Sequence, residues 1–163
     1  MLSAPSAPDR FDLAQLRRTQ GALAALRMLL GVLWLSNLLW KLPPDFGRYD
    51  DRGLLYSFRL AERYAVGPLA DLVHDVVIPH FTLFGWLVFV VEASAGILLL
   101  LGLATRLGAL IGLGQAVAIT LLVGNAPDEW RWGYALFIAV HVLLLSTPCA
   151  ARFSLDATRA RRL

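Results

Sequence analysis

Cysteine is nearly absent from this chain: among 163 residues the single thiol is Cys149. That excludes an internal disulfide and a Cys-x-x-Cys pair, and with them a dithiol mechanism of the thioredoxin or vitamin K epoxide reductase kind within this chain. Charge is scarce too, at 17% Asp, Glu, Lys and Arg against 58% hydrophobic residues, with a mean hydropathy of +0.62. An ordinary soluble domain is excluded on those figures, and a polytopic membrane protein is expected. The longest apolar runs contain no proline at mid-depth, which argues against the broken helices of a small transporter. Met1 to Pro8 lack a basic start followed by an apolar core, so the first span is expected to direct insertion itself. The net charge of +3 and isoelectric point near 9.5 do not point to nucleic acid, because the basic residues sit at the ends of apolar runs where membrane topology accounts for them.

What is present is organised around one stretch, Pro79 to Leu107, with a single ionisable group near its middle, Glu92. The 24 residues from Phe81 to Ala104 hold no other charge, and at about 1.5 Å per residue they exceed a hydrocarbon core of about 30 Å. Three further runs complete an all-α, integral membrane four-helix bundle, with spans expected at about 21–42, 81–104, 107–124 and 132–147. Residues 1–20 read as a cytoplasmic leader and 149–163 as a basic cytoplasmic tail, flanking a membrane domain over 21–148. Pro43-Pro44 opens an outer loop over 43–78 with room for two short amphipathic helices, the second starting at Gly67-Pro68 and turning Leu69, Leu72, Val73 and Val76 inward. Asp71, His74, Asp75 and His80 beside it read as a wet helix face, and no metal site is assigned. With both termini inside a bacterial-type plasma membrane, the inner side carries Arg10, Arg17, Arg18, Arg27, Arg106, Arg152, Arg159, Arg161 and Arg162. The outer side then holds Lys41, Arg48, Arg52, Arg59, Arg63 and Arg131 beside eight acidic residues.

A carboxyl group at mid-bilayer costs on the order of 3 kcal/mol unless it is paired or protonated, so Glu92 demands partners. At 100° per residue, Arg27, Gly31, Trp34, Asn37 and Lys41 form one polar stripe on the first span. Rise per residue puts Glu92, His141 and Gln115 near one depth, with Asn37 outward and Arg27 inward of it. The candidate buried polar site is therefore Glu92, Arg27, His141, Gln115, Asn37 and Lys41, with an Arg27–Glu92 ion pair expected at its centre. It reads either as a structural network that sets helix register or as a site that exchanges protons with a quinone head group. In the third span Gly108, Gly112 and Ala116 repeat every four residues, a packing seam for another helix.

The segments RMLLGVLWLSNLLWKL at 27–42 and VEASAGILLLLGLATRLGAL at 91–110 resemble the DoxX/DoxD family of small four-helix membrane proteins. The resemblance carries over Arg27, Gly31, Lys41, Glu92, Gly96, Gly102, Thr105 and Arg106, and the ending RFSLDATRARR at 152–162 is similar to the Ser-Leu-Asp tail of DoxD-type members. It implies a subunit that anchors or assists a thiol or sulfur redox system and contacts the quinone pool. The alternatives are the membrane subunit of a thiosulfate:quinone oxidoreductase and, second, a small transporter. No cofactor is evident in the chain itself, so quinone is the one to test. The expected partners are the lipid bilayer and the other proteins of a redox complex, with self-association left open and no nucleic acid.

Overall fold

The computed structural model of the chain describes residues 10–148 and 153–160. Residues 1–9 of the leader, and 149–152 and 161–163 of the tail with Cys149 among them, lie outside the described residues. Among those described, all regular structure is helical: α1 (Arg10–Asn37), continued by a 3₁₀ turn (Leu38–Trp40), then α2 (Leu54–Tyr64), α3 (Leu69–Leu72) and a π turn (Val73–Val77). These are followed by α4 (Phe81–Leu101), α5 (Thr105–Val123), α6 (Arg131–Ser146) and α7 (Leu155–Ala160). Three helical stretches are long and apolar enough to cross a membrane: Leu13–Trp40, Phe81–Leu101 and Thr105–Val123, with hydropathies of 1.8, 2.2 and 1.8. Helix α6 is apolar but has only 16 residues, about 24 Å of helix.

The long helices pack α1 on α4, α4 on α5 and α5 on α6, and Trp34 brings α6 back to α1 by stacking on Phe137 with ring centroids 5.1 Å apart. Glycine sets the closest approach. A Cβ built on Gly31 would lie 2.6 Å from the backbone nitrogen of Leu100 and 2.9 Å from the carbonyl of Gly96, so only hydrogen fits where α1 crosses α4. Small residues of α5 play the same part: a Cβ on Gly108 would meet Leu98 Cβ at 2.8 Å, and one on Gly112 would fall on the His141 imidazole. One core, built on Leu30, Trp34, Ala95, Leu99, Ala109, Ala116 and Leu144, fills this region.

Thr105 and Arg106, expected in the turn between the second and third spans, are instead the first residues of α5. The turn comes earlier because Gly102, at φ +65°, ends α4 in the left-handed conformation, with the Leu103 amide donating back to the Leu98 carbonyl at 3.1 Å.

A second core gathers Phe46, Leu54, Phe58, Ala61, Val73, Val77, Phe81 and Val123 at the end of the molecule where α4 begins. Helix α2 contributes Leu54, Phe58 and Ala61, spaced i, i+4, i+7, and lies against α5. Phe46 is fully buried; its ring occupies the space that any side chain on Gly85 would need. The next element departs in part from the expected facing: Val73 is buried as expected and Val77 with it, whereas Leu72 and Val76 are exposed. The reason is the π turn, in which the Ile78 amide donates to the Val73 carbonyl at 2.9 Å; its wider turn carries the residue three positions on, Val76, off the face that Val73 and Val77 share.

Candidate functional site

The polar stripe of α1 faces inward, with Arg27 and Trp34 at 0% and 1% exposure and Lys41 at 8%. Its C-terminal end meets Glu92, which lies on α4 with no exposed surface. Lys41 is carried there because the helix tightens after Asn37 into the 3₁₀ turn, whose end Lys41 caps. Lys41 Nζ stands 2.8 Å from Glu92 Oε1 in an ion pair. Gln115 Nε2 of α5 donates to the same oxygen at 3.2 Å, and Asn37 Nδ2 donates to Oε2 at 3.2 Å. The carboxylate thus receives one cationic and two amide donors from three different elements, which is what a charge in a low-dielectric interior requires.

The expected Arg27–Glu92 pair does not form. Arg27 is used at the C-terminal end of α4 instead: its Nη1 donates to the Leu99 carbonyl at 2.5 Å and its Nη2 to the Phe153 carbonyl at 2.6 Å. Helix α4 ends at Leu101, so the Leu99 carbonyl has no intrahelical partner, and a guanidinium there both bonds it and complements the negative end of the helix dipole. Reach decided between the two partners. Lys41 is on the same stripe and already at the depth of the carboxylate, while Arg27 is close to a helix end rich in bare carbonyls.

His141 is also apart from Glu92. Trp34 Nε1 donates to His141 Nε2 at 3.0 Å, and His141 Nδ1 lies 2.7 Å from the Phe137 carbonyl. A carbonyl can only accept, so the proton sits on Nδ1 and Nε2 takes the indole hydrogen; the imidazole is the neutral tautomer with both nitrogens used. Gly112 makes this possible, because a Cβ there would also come within 2.9 Å of Trp34 Nε1. The six candidate residues therefore separate into a Glu92–Lys41–Asn37–Gln115 cluster, a Trp34–His141 pair and the Arg27 end-cap.

Two residues escape sequence reasoning. Trp34 has the stripe position but no signal for its partner. Asp156, in the tail, accepts from the backbone amides of Ala104 and Thr105 at 3.0 Å each and from Thr105 Oγ1 at 3.1 Å, so it caps α5 from about fifty residues away in sequence. Together with the Arg27–Phe153 bond, this fastens the described part of the tail to the turn between α4 and α5.

The Glu92 cluster borders a cavity of about 1070 Å³, at the upper end of the range for small-molecule sites, roughly 300–1,000 Å³. Its wall is mostly apolar and comes from α1, α2, α3 with its π turn, α4, α5 and α6; Leu33, Leu39 and Leu87, about half or more exposed, form its edge toward the outside of the helices. Glu92, Lys41, Asn37 and Gln115 meet at one place on the wall through their hydrogen bonds, and the lining also includes Ser36, Arg52, Tyr56, Ser57, Glu129 and Tyr134. His74 and His80, between α2 and α4, are not part of it: His74 Nδ1 pairs with Glu62 and His80 Nδ1 bonds the Val76 carbonyl.

Compared with known proteins, residues 22–163 match the family model described as "TQO small subunit DoxD". No curated protein and no solved structure matches the chain.

Proposed function

The chain belongs to the DoxD family, and on that premise we propose that it is the four-span membrane subunit of a quinone-linked oxidoreductase, holding a quinone head group beside Glu92. One observation carries the reading: a large, mostly apolar cavity edged by exposed leucines has on its wall a fully buried carboxylate on which three side-chain donors converge. An isoprenoid quinone has the same division, with a greasy body and two carbonyl oxygens at one end. The residues present fit such a group. Lys41, Asn37 and Gln115 are donors that can turn from Glu92 to a carbonyl oxygen, and Glu92 is the group that can hold a proton when Lys41 is drawn away. A bound quinone would supply two-electron acceptance coupled to proton uptake.

With a single cysteine in the chain, the sulfur chemistry implied by thiosulfate:quinone oxidoreductase is assigned to a partner subunit, which this chain anchors. The membrane domain covers 21–148, α6 being its fourth and shortest span, with 43–78 outside and both termini on the cytoplasmic side of the plasma membrane.

Trp34 and Trp40 line the cavity, so binding can be read from indole fluorescence. Titrating the detergent-purified protein with a short-chain ubiquinone analogue should quench it saturably, and Asn37→Leu or Gln115→Leu should weaken binding about tenfold, the loss expected for one hydrogen bond to a buried acceptor. Quenching that does not saturate, or that is identical in all three proteins, would refute the assignment.

A further inference from the structure

A second cavity, of about 510 Å³, opens at the end of the molecule where α4 begins and shares no lining residue with the first. Its wall holds Arg48, Arg59, His80 and Thr82 and no carboxylate; the remainder includes the apolar Leu55, Ile78, Phe81 and Leu83. Both arginines are exposed, and neither makes an ion pair among the described residues, although the loop and helices that carry them are rich in acids. Arg48 is held in place by its guanidinium, which lies 4.6 Å from the centroid of the Phe81 ring. Phe81 is anchored in turn by edge-to-face contacts with Phe46 and Phe58, at 6.3 and 6.0 Å. Arg59 stands on α2 next to the buried Phe58, so both cations are mounted on the second core and not on a loose loop.

We propose that this cavity binds a tetrahedral, phosphate-type oxyanion between the Arg48 and Arg59 guanidiniums, carried by an anionic phospholipid or free in solution. Guanidinium forks match the geometry of such an anion bidentately, and two of them facing one cavity without a counter-ion leave that position favourable to it. Leu83, 67% exposed in the first turn of an apolar span, places the charged wall and a lipid-facing surface side by side, as a headgroup with its glycerol and first methylenes would need. The inference does not depend on the quinone reading, since it uses no residue of the Glu92 cavity.

The test uses the full chain in neutral detergent, with dioleoyl-phosphatidylglycerol, dioleoyl-phosphatidylcholine and inorganic phosphate as separate probes. Lipid retention is read by native mass spectrometry and phosphate by the shift in thermal midpoint. The wild type should retain phosphatidylglycerol over phosphatidylcholine, or be stabilised by phosphate, and Arg59→Gln, which leaves the Arg48–Phe81 contact intact, should weaken that binding about fivefold or more. Arg48→Gln with Arg59→Gln should abolish the preference, while Arg63→Gln with Arg106→Gln should leave it unchanged. Dependence on the pair with lipid alone identifies a headgroup site, and with phosphate alone a free-anion site. Binding of both probes that is unaltered by the Arg48 and Arg59 substitutions, or absent from the wild type, overturns the proposal.

Discussion

Glu92→Gln is the perturbation that most directly weighs the buried ion pair. Glu92 has no exposed surface and Lys41 Nζ is 2.8 Å from it, on a side chain only 10% exposed. Removing the negative charge leaves the ammonium buried against a neutral amide, and breaking a buried pair on one side costs about 3–5 kcal/mol. For a chain of this length, that is a fall in unfolding midpoint of roughly 6–20 °C. Lys41→Met alone should cost less, because Asn37 and Gln115 still donate to the carboxylate. The double variant, Glu92→Gln with Lys41→Met, leaves no orphaned charge and should recover about 2 kcal/mol or more of the summed losses. Thermal unfolding of the four proteins in one detergent completes the cycle. Additive losses, or a Glu92→Gln protein that melts with the wild type, would refute the claim that the two charges sustain each other. The matching cycle with Arg27→Met in place of Lys41→Met should be additive, since Arg27 bonds the end of α4 and not the carboxylate.

Gly112→Leu should abolish folded yield, because its side chain enters the space of the Trp34–His141 bond, whereas Leu113→Ala, at a half-buried position, should cost roughly 1 kcal/mol; comparable yields of monodisperse protein would remove that crossing from the argument. Asp156→Ala should destabilise the protein by about 2 kcal/mol through loss of the α5 cap, and Asp156→Asn by about half as much, as read from unfolding midpoints. The hydrogen bond and charge of Glu62 raise the pKa of His74, with smaller contributions from Asp75 and Asp71. A folded value above the unfolded one means that the stabilisation is complete below the unfolded pKa, about 6.5, and disappears as pH rises through the folded value. Glu62→Gln should therefore lower the unfolding midpoint more at pH 5.5 than at pH 9, and an equal effect at both pH values would contradict the linkage.

Membrane character, the positions of the apolar helices and the identity of the carboxylate that needs partners were all legible in the sequence. Each follows from local rules: uncharged length against bilayer thickness, helical periodicity for the inward stripe, and the cost of a charge in hydrocarbon. Family membership was legible as well, from Arg27, Lys41, Glu92, Gly102 and the Ser-Leu-Asp tail. Which cation answers Glu92 was not. Depth along a helix axis, reckoned from rise per residue, favours Arg27, about 6 Å from the level of Glu92 against about 15 Å for Lys41, and the opposite choice was made by the tightening of α1 after Asn37 and by the carbonyls at the end of α4 that claim a guanidinium first. The facing of Leu72, Val76 and Val77 was hidden for a similar reason, since a π turn changes the period on which the reading of a helix face rests. The cap that Asp156 places on α5, the indole that fixes the His141 tautomer, and the cavity beside Glu92 each join segments far apart in sequence, and only packing brings those segments within hydrogen-bonding distance.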